Sequence, residues 1–141
     1  QRNNLLLAAL ITEAYSALRT SFLLNLYGYH ADAYALLRRA HETTIKAIAG
    51  KKEPEKILKV SFSKDRQKIE NIIGINFKGL WAVESSFAHA NSIKLYETGV
   101  NLQRIDKQVG VSYGPQLHMK QFRAAANTSI FWLYALIKSF P

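Results

Sequence analysis

The sequence predicts an all-α protein, a bundle of about four long helices with a short helical insert. Apolar residues recur three and four positions apart over long stretches, which is the spacing of one face of a helix. Alternating runs of β-branched residues are nearly absent, and no Asn-Gly or Asp-Gly pair marks a hairpin turn. With 141 residues, 48% hydrophobic and 21% charged, the chain is long and apolar enough to bury one core. We therefore expect residues 1–141 to form a single domain.

The first two predicted helices form an antiparallel pair, because only a short connection around Gly28 separates them. Helix one is predicted from about Asn4 to Tyr27 and ends at Gly28. Helix two is predicted from about Ala31 to Ala49, where Gly50 is expected to stop it. The side chains predicted to face inward are Leu6, Leu10, Ala14, Leu18 and Phe22 on helix one and Tyr34, Leu37, His41, Thr44, Ile45 and Ile48 on helix two.

The segment after helix two is predicted to hold the short helical insert. Pro54 suits the first turn of a short helix, because a backbone N–H at that position would have no partner within the helix. A further helix is predicted over Lys64–Ile73 and ends at Gly74. A fifth helix is predicted over about Gly79–His89.

The last third of the chain is predicted to hold an irregular segment and one long helix. Residues 98–115 contain three glycines and a proline, so we expect them to be irregular apart from a helical turn near Leu102–Gln108. The final helix is predicted over about Gln116–Phe140. Its inward face is predicted to carry Phe122, Ala126, Ile130, Leu133 and Ile137.

The basic charge of the chain points to an anionic partner. The formal net charge is +9 and the pI is near 9.9, which favours RNA, DNA or an acidic protein face. The densest stretch, Lys46–Lys68, carries eight basic residues against three acidic ones and would attract phosphates without base specificity. A solvated, lysine-rich helical hairpin explains the same pattern equally well. The candidate nucleic-acid-binding residues are Lys51, Lys52, Lys56, Lys59, Lys64, Arg66 and Lys68.

The composition excludes several kinds of site. The chain has no cysteine, so it can form neither a disulfide nor a thiolate metal site, and this fits a cytoplasmic protein. No His, Asp or Glu pattern has metal-ligand spacing and no glycine loop could cradle a phosphate, so neither a metal nor a cofactor is predicted. The apolar run over residues 124–137 is too short and too polar to span a bilayer. Because the chain begins at Gln1, within a helical pattern, we expect it to be part of a longer protein.

Two polar clusters interrupt apolar, helix-forming stretches, at residues 38–42 and 85–89. Ionisable groups are costly to bury unless they are paired, so two buried clusters are expected to meet. Arg38 and Glu42 lie four residues apart and share a face with alanine and isoleucine, which favours a half-buried ion pair over a solvated one. Glu13 on helix one either lies at the exposed edge or turns inward to the guanidinium of Arg38.

In the second cluster, His89 is the candidate functional residue, because the hydroxyl of Ser85 or Ser86 one turn earlier can reach its ring. Such a histidine serves as a capping or core residue, or as a general base or phosphate contact. We predict that the two clusters pair across two helices, with a structural role first and a catalytic role second. Arg39 and His41 are predicted to lie outside this pairing, and no catalytic residue is assigned. The candidate pocket residues are Arg38, Glu42, Ser86, His89 and Glu13.

Three short motifs carry a resemblance to a known family. They are Ala35-Leu36-Leu37-Arg38 followed by Glu42, then Ser86-Phe87-Ala88-His89, and Gly114-Pro115 before the last long helix. With these motifs the chain resembles a bacterial helical family of unknown function, related to the HEPN (higher eukaryotes and prokaryotes nucleotide-binding) superfamily. Where that family often has His-Pro-Ser, this sequence has His89-Ala90-Asn91-Ser92. The resemblance implies a HEPN-like bundle, RNA-linked biology and a homodimer with its site at the interface.

The resemblance does not extend to the catalytic motif of HEPN ribonucleases, an arginine followed four to six residues later by a histidine. Arg39 is too close to His41, whereas Arg19 and His30, and Arg104 and His118, are too far apart. The prediction is therefore a HEPN-like module that binds RNA or nucleotide in a bacterial defence or stress system. The alternative is a non-enzymatic protein-interaction domain with a buried Arg–Glu–His network. An enzyme of this sequence would be a divergent ribonuclease using Arg38 and His89.

Overall fold

The computed structural model describes the backbone of residues 1–59, 61–88, 100–105, 108–113 and 119–141, and the side chains of residues 1–59, 61–85 and 119–141. Over these ranges the chain forms six helices and one two-stranded hairpin. The elements are α1 (Arg2–Leu26), α2 (His30–Lys52), α3 (Pro54–Ile57), α4 (Phe62–Ile73), α5 (Lys78–Ala88), β1 (Val100–Ile105), β2 (Gln108–Tyr113) and α6 (Met119–Ser139). The residues of the buried core cluster all belong to helices, so the all-α class is confirmed.

The antiparallel pairing of α1 and α2 is confirmed. Gly28 connects the two helices with a φ of 84°, a left-handed conformation that glycine adopts without steric cost. The Ser21 hydroxyl donates to the carbonyl of Ala33 at 2.8 Å. Asn25 Oδ1 lies 2.6 Å from His30 Nδ1. These buried contacts join the two longest described helices by polar interactions as well as by apolar packing.

The final helix packs against both members of this pair. At the end of α1, Asn25 Nδ2 donates to the carbonyl of Phe122 at 2.9 Å. Near the end of α2, Lys51 Nζ donates to the carbonyl of Ser139 at 2.7 Å. Helix α6 therefore runs antiparallel to α1 and parallel to α2. The shorter helices α3, α4 and α5 pack against α2.

The predicted insert is confirmed, with one correction at the end of α2. Helix α3 begins at Pro54, and α4 ends at Gly74 with a φ of 83°. The prediction that Gly50 stops α2 was wrong, because the helix continues to Lys52. A Cβ atom at Gly50 would lie 2.6 Å from Leu58 Cδ2. The glycine therefore lets the chain after α2 pack closely against the helix rather than ending it.

The prediction of an irregular segment with a helical turn over residues 98–115 was also wrong. Residues 100–105 and 108–113 form antiparallel strands in which Val100 pairs with Tyr113 and Ile105 with Gln108. The sequence of β2 alternates Val109, Val111 and Tyr113 with smaller or polar residues, which is the period of a strand. Gly110 occupies one of the small positions of that alternation, and a glycine within such a short apolar stretch also fits an irregular loop.

The predicted inward face of α6 is rotated relative to the observed one. The buried side chains are Ala125, Ser129, Trp132 and Leu136. In contrast, Ile130, Leu133 and Ile137 are 61%, 37% and 58% exposed, and Phe122 and Ala126 are half-buried. Phe22 of the predicted α1 stripe is likewise exposed. Nowhere in the described part of the chain is a helix long and apolar enough for a membrane crossing.

Candidate functional site

Three buried side chains from three helices meet at the centre of the molecule: His41 of α2, Glu84 of α5 and Trp132 of α6. His41 Nδ1 lies 2.6 Å from Glu84 Oε2, and Trp132 Nε1 donates to Glu84 Oε1 at 3.2 Å. His41 and Glu84 are 0% exposed and Trp132 is 1% exposed. These three side chains are called the buried polar network below.

Aromatic rings enclose His41. The Trp132 indole stacks on the imidazole with centroids 4.2 Å apart, and the rings of Phe62 and Phe77 approach it edge-on at 6.0 and 5.5 Å. Among the described residues, no hydrogen-bond partner reaches His41 Nε2 or the hydroxyl of Thr44, one turn along α2. Because a buried polar atom without a partner is costly, the hydrogen-bonding capacity of this region is only partly satisfied.

Burial dominates the electrostatics of the buried polar network. It raises the pKa of the Glu84 carboxyl above its ordinary value of 4.5, and the contacts with His41 and Trp132 act against that rise. Burial, with a smaller contribution from Glu84, also raises the pKa of the Tyr34 phenol. Solvent reaches neither His41 nor Glu84, so this contact links α2 to α5 inside the protein.

A second polar cluster lies nearer the surface, where two arginines flank Trp81. The guanidinium carbons of Arg38 and Arg66 lie 5.1 and 5.2 Å from the indole centroid. Each arginine also forms an ion pair one turn along its own helix. Arg38 Nε lies 2.9 Å from Glu42 Oε1, and Arg66 Nη1 lies 2.8 Å from Glu70 Oε2. The cation–π contacts therefore connect α2 and α4 to α5, whereas each ion pair lies within one helix. The predicted Arg38–Glu42 pair is confirmed.

The other predicted pocket residues are placed differently. Glu13 does not reach Arg38. It pairs with Arg39, and both side chains are partly exposed, so the exposed-edge alternative for Glu13 holds. Ser86 lies in α5, but its side chain and all of His89 lie outside the described residues. The pairing of Arg38 and Glu42 with Ser86 and His89 therefore stays a prediction.

His41 takes part in a polar contact that the sequence did not predict, separate from the predicted pairing of residues 38–42 with residues 85–89. His41 occupies the inward stripe of α2, as its helical position predicted, and its ring nitrogen meets the Glu84 carboxyl there. This pairing lowers the cost of burying both groups. Sequence reasoning missed Glu84, although it is the only carboxylate in the apolar sequence of α5. A lone acid in such a helix was the available signal.

The predicted nucleic-acid-binding residues mostly contact neighbouring groups. Backbone carbonyls accept hydrogen bonds from Lys51 and Lys52. Glutamates pair with Lys56, Lys59 and Arg66. Five of the seven candidates thus have a local partner that an anionic ligand would need to compete with.

The remaining two candidates line an open cleft of about 830 Å³ between α3 and α4. Lys64 and Lys68 lie on its α4 side and Lys56 on its α3 side, together with Glu53 and Asp65. Neither Lys64 nor Lys68 forms an ion pair with any part of the chain that the structure describes. We call this feature the lysine cleft.

An apolar groove of about 280 Å³ lies between α1 and α6 and is called the α1–α6 groove. Next to it on α6, Tyr134 and Ile137 are 60% and 58% exposed. The apolar surface therefore extends beyond the groove along the outer face of α6. The lining residues are Tyr15, Leu18, Arg19, Phe22, Ser129, Ile130 and Leu133.

Neither metal chemistry nor similarity assigns a function to these features. Within the described ranges, no group of three or more histidine and carboxylate side chains could hold a metal ion. No family model matches the sequence, and no curated protein and no solved structure is significantly similar to the chain. Two surface features described above remain as candidates, the lysine cleft and the α1–α6 groove, while the buried polar network lies between helices.

Proposed function

We propose that this domain is a non-enzymatic protein-interaction module that binds a helical partner in the α1–α6 groove. The observation that carries this proposal is the exposure of Ile130, Leu133 and Ile137. They recur three and four residues apart, which is the spacing of a helix face that normally packs against a core. Within this chain they stay in contact with solvent, and a partner molecule would bury them.

The size of the exposed apolar surface supports the proposal. Tyr15, Phe22 and Tyr134 are 57%, 42% and 60% exposed. An aromatic side chain offers about 150–250 Å², so these three alone present roughly 240–400 Å². The aliphatic stripe of α6 adds to that area and brings it into the range of the largest apolar patch of a typical monomer, about 300–600 Å². Patches of this size are often functional.

The inaccessibility of the buried polar network favours a non-enzymatic function. A general base has to come within about 3 Å of the proton that it removes, and neither His41 nor Glu84 is open to solvent. Buried hydrogen-bonded groups can instead specify one arrangement of packed helices. In this function the network holds α2, α5 and α6 in a fixed mutual rotation, which keeps the stripe of α6 turned outward.

Peptide binding tests the proposal. The purified protein is titrated with a fluorescent helical peptide of about 20 residues, with leucines at i, i+3, i+4 and i+7 and equal numbers of Glu and Lys elsewhere. We expect saturable binding that Ile130→Asp weakens about tenfold or more. The matched control is Ile75→Asp, because Ile75 is 49% exposed and does not line the groove.

Two results would contradict this function. One is equal binding by the Ile130→Asp and Ile75→Asp variants, since the groove would then play no part. The other is the absence of peptide binding from a protein that sediments as a monomer at high concentration. A dimer that dissociates in Ile130→Asp would support an interaction module whose partner is a second copy.

The lysine cleft favours a second function, polyanion binding by a HEPN-like module. Lys64 and Lys68 have no ion-pair partner among the described residues, and they line an open cleft of about 830 Å³ where a phosphate group could contact them. RNA or a nucleotide would be the ligand, in the bacterial defence or stress biology that the sequence resemblance implies. This function has less geometric support, because the other five basic candidates have local partners.

RNA binding at several salt concentrations tests the second function. Affinity for a mixed single-stranded RNA is measured by fluorescence anisotropy between about 50 and 200 mM salt. We expect the double variant Lys64→Glu, Lys68→Glu to weaken binding about tenfold and to reduce the salt slope by about two. The control is Lys120→Glu on the exposed start of α6. Undetectable RNA binding at low salt, or equal losses in the cleft and control variants, would contradict this function.

A further inference from the structure

Cations without a carboxylate partner among the described residues lie in the α1–α6 groove and along α6. Helix α6 contains no Asp or Glu, and α1 contains only Glu13, whose carboxylate pairs with Arg39. Arg19 lines the groove itself, and Arg123 and Lys138 are exposed on α6. Within the described residues neither Arg19 nor Arg123 forms an ion pair, and Lys138 lies 5.7 Å from a tyrosine ring. Among the residues that the structure describes, no carboxylate therefore neutralises the positive charge of this face.

Three arginines outside the groove, in contrast, have carboxylate partners within the chain. Arg38, Arg39 and Arg66 each pair with a glutamate. Arg38 and Arg66 pair with a glutamate one turn along their own helices, α2 and α4. Such pairs cancel most of the local potential. On the groove face the potential extends over an apolar surface, where it can attract and orient a ligand of opposite charge.

The groove also has the shape that a helix requires. Helices α1 and α6 run antiparallel, and Tyr15, Leu18 and Phe22 recur on α1 at the spacing of one helix face. On α6, Ile130 and Leu133 lie three residues apart and also share one helix face. A third helix would pack its side chains between these two ridges and anchor apolar residues at i, i+3 or i+4, and i+7. A volume of about 280 Å³ suits the apolar side chains of such a helix.

We propose that the occupant of the α1–α6 groove is an amphipathic helix of a partner protein, apolar on one face and flanked by Asp and Glu. This inference rests on the proposed function, because it names the partner of the same groove. Carboxylates on the flanks of the helix pair with Arg19 in the groove and with Arg123 and Lys138 on α6. Charges at the rim of an interface act chiefly on partner choice and association rate.

Charge disfavours a second copy of this chain as the occupant. Each copy carries a net charge of +9. A two-fold contact presents the same surface from both copies, so a dimer centred on the groove brings Arg19 close to its own symmetry mate. No carboxylate of α6 compensates that repulsion, and like charges across an interface select against a partner.

The test compares two peptides that differ in flanking charge. Both are helical, about 20 residues long and identical on the apolar face, and one has Glu and the other Lys on its flanks. At low salt we expect the Glu peptide to bind about five- to tenfold more tightly. At about 1 M salt, where the Debye length is about 3 Å, the difference should nearly vanish.

Two variants with the same change in net charge locate the effect. Arg19→Glu removes the cation of the groove, whereas Lys64→Glu makes the same change in the lysine cleft. We expect Arg19→Glu to abolish most of the preference for the Glu peptide and Lys64→Glu to retain it. Both side chains are exposed, so both variants should fold, which circular dichroism checks.

The outcomes separate this inference from the function on which it rests. If both peptides bind equally and Ile130→Asp abolishes binding, the groove binds helices without charge selection, and only the acidic partner is overturned. If neither peptide binds and the protein forms a dimer that Ile130→Asp dissociates, the occupant is a second copy and the inference is again overturned. If neither peptide binds and the protein is monomeric, both the inference and the proposed function fail.

Discussion

The junction of α2, α5 and α6 is polar at its centre, whereas the outer face between α1 and α6 is apolar. In the interior, His41, Glu84 and Trp132 exclude water and contact one another. At the surface, Ile130 and Ile137 are more than half exposed. The comparison shows that hydrophobicity alone does not decide which face of a helix is buried in this molecule.

Helix α6 contributes to both regions, and its rotation explains the difference. Trp132 has a large apolar ring and one N–H group, so it can pack in the core and also donate to Glu84. Ile130 and Ile137 have no group that could bind the buried carboxyl. One residue corresponds to about 100° of rotation on a helix, so turning Trp132 inward moves its neighbours toward solvent.

The largest expected effect comes from breaking the polar interior. Glu84→Ala should lower the free energy of unfolding by about 3–5 kcal/mol, because it leaves the partners of a buried pair without a counterpart. Urea denaturation measures the loss. The control is Glu13→Ala, which removes the exposed pair with Arg39 and should cost at most about 1 kcal/mol. Equal losses would show that the buried polar network does not stabilise the fold more than a surface ion pair.

Two neighbouring residues of α6 test which face of this helix is buried and which is exposed. Leu136 is 6% exposed and Ile137 is 58% exposed. Leu136→Ala should lower the free energy of unfolding by about 2–5 kcal/mol, since it leaves a cavity in the core. Ile137→Ala should change it by no more than about 0.5 kcal/mol. Both free energies are measured by urea denaturation. A larger loss in Ile137→Ala than in Leu136→Ala would show that the face predicted from the sequence is the buried one.

A smaller effect is expected from the unpaired hydroxyl beside the buried polar network. Thr44 is buried and its hydroxyl has no hydrogen-bond partner among the described residues, so Thr44→Val should raise the free energy of unfolding by about 1 kcal/mol. The control is Thr43→Val, because the Thr43 hydroxyl donates to the carbonyl of Arg39 at 2.8 Å and would lose that bond. A loss of stability in Thr44→Val would indicate that the hydroxyl is hydrogen-bonded in solution.

The smallest expected effect is a dependence on pH. Burial raises the pKa of Glu84, so ionisation costs more in the folded state than in the unfolded one. The stability that Glu84 contributes is therefore complete below about pH 4.5 and is lost as the pH rises through the folded-state pKa. Glu84→Gln has no proton to release and keeps an amide oxygen for Trp132 and an amide N–H for His41.

The measurement is the difference in unfolding free energy between Glu84→Gln and the parent protein at several pH values above 4. We expect this difference to shift in favour of Glu84→Gln as the pH rises. A difference that stays constant, or that shifts toward the parent protein, would contradict the stated direction for Glu84. Comparing the two proteins cancels the contributions of the other carboxyl groups.

The pairing of α1 with α2 could be predicted because it is encoded locally. Gly28 marks the turn, and the apolar stripe on each side has the spacing of a helix face. The rotation of α6 about its axis could not be predicted, because two faces of the helix are similarly apolar, one containing Leu136 and the other Ile137. The choice depends on Glu84, which lies on another helix and contacts Trp132.

In the candidate site, too, a contact within one helix could be predicted from the sequence, whereas a contact between helices could not. The Arg38–Glu42 pair was predicted because both residues lie on one helix, four positions apart. His41 and Glu84 are 43 residues apart in the chain, so no spacing rule relates them. Helical position predicted that His41 is inward, but its partner could be identified only once the packing of α5 against α2 was known.

The positions of the two tryptophans give the protein a built-in optical probe. The chain contains only Trp81 and Trp132, and one belongs to each polar cluster. In Trp81→Phe the remaining indole emission comes from the sealed interior alone. In Trp132→Phe the emission comes from Trp81, which is in contact with the guanidinium groups of Arg38 and Arg66. Fluorescence spectra of the two variants would therefore follow the two helix junctions separately, without an attached dye.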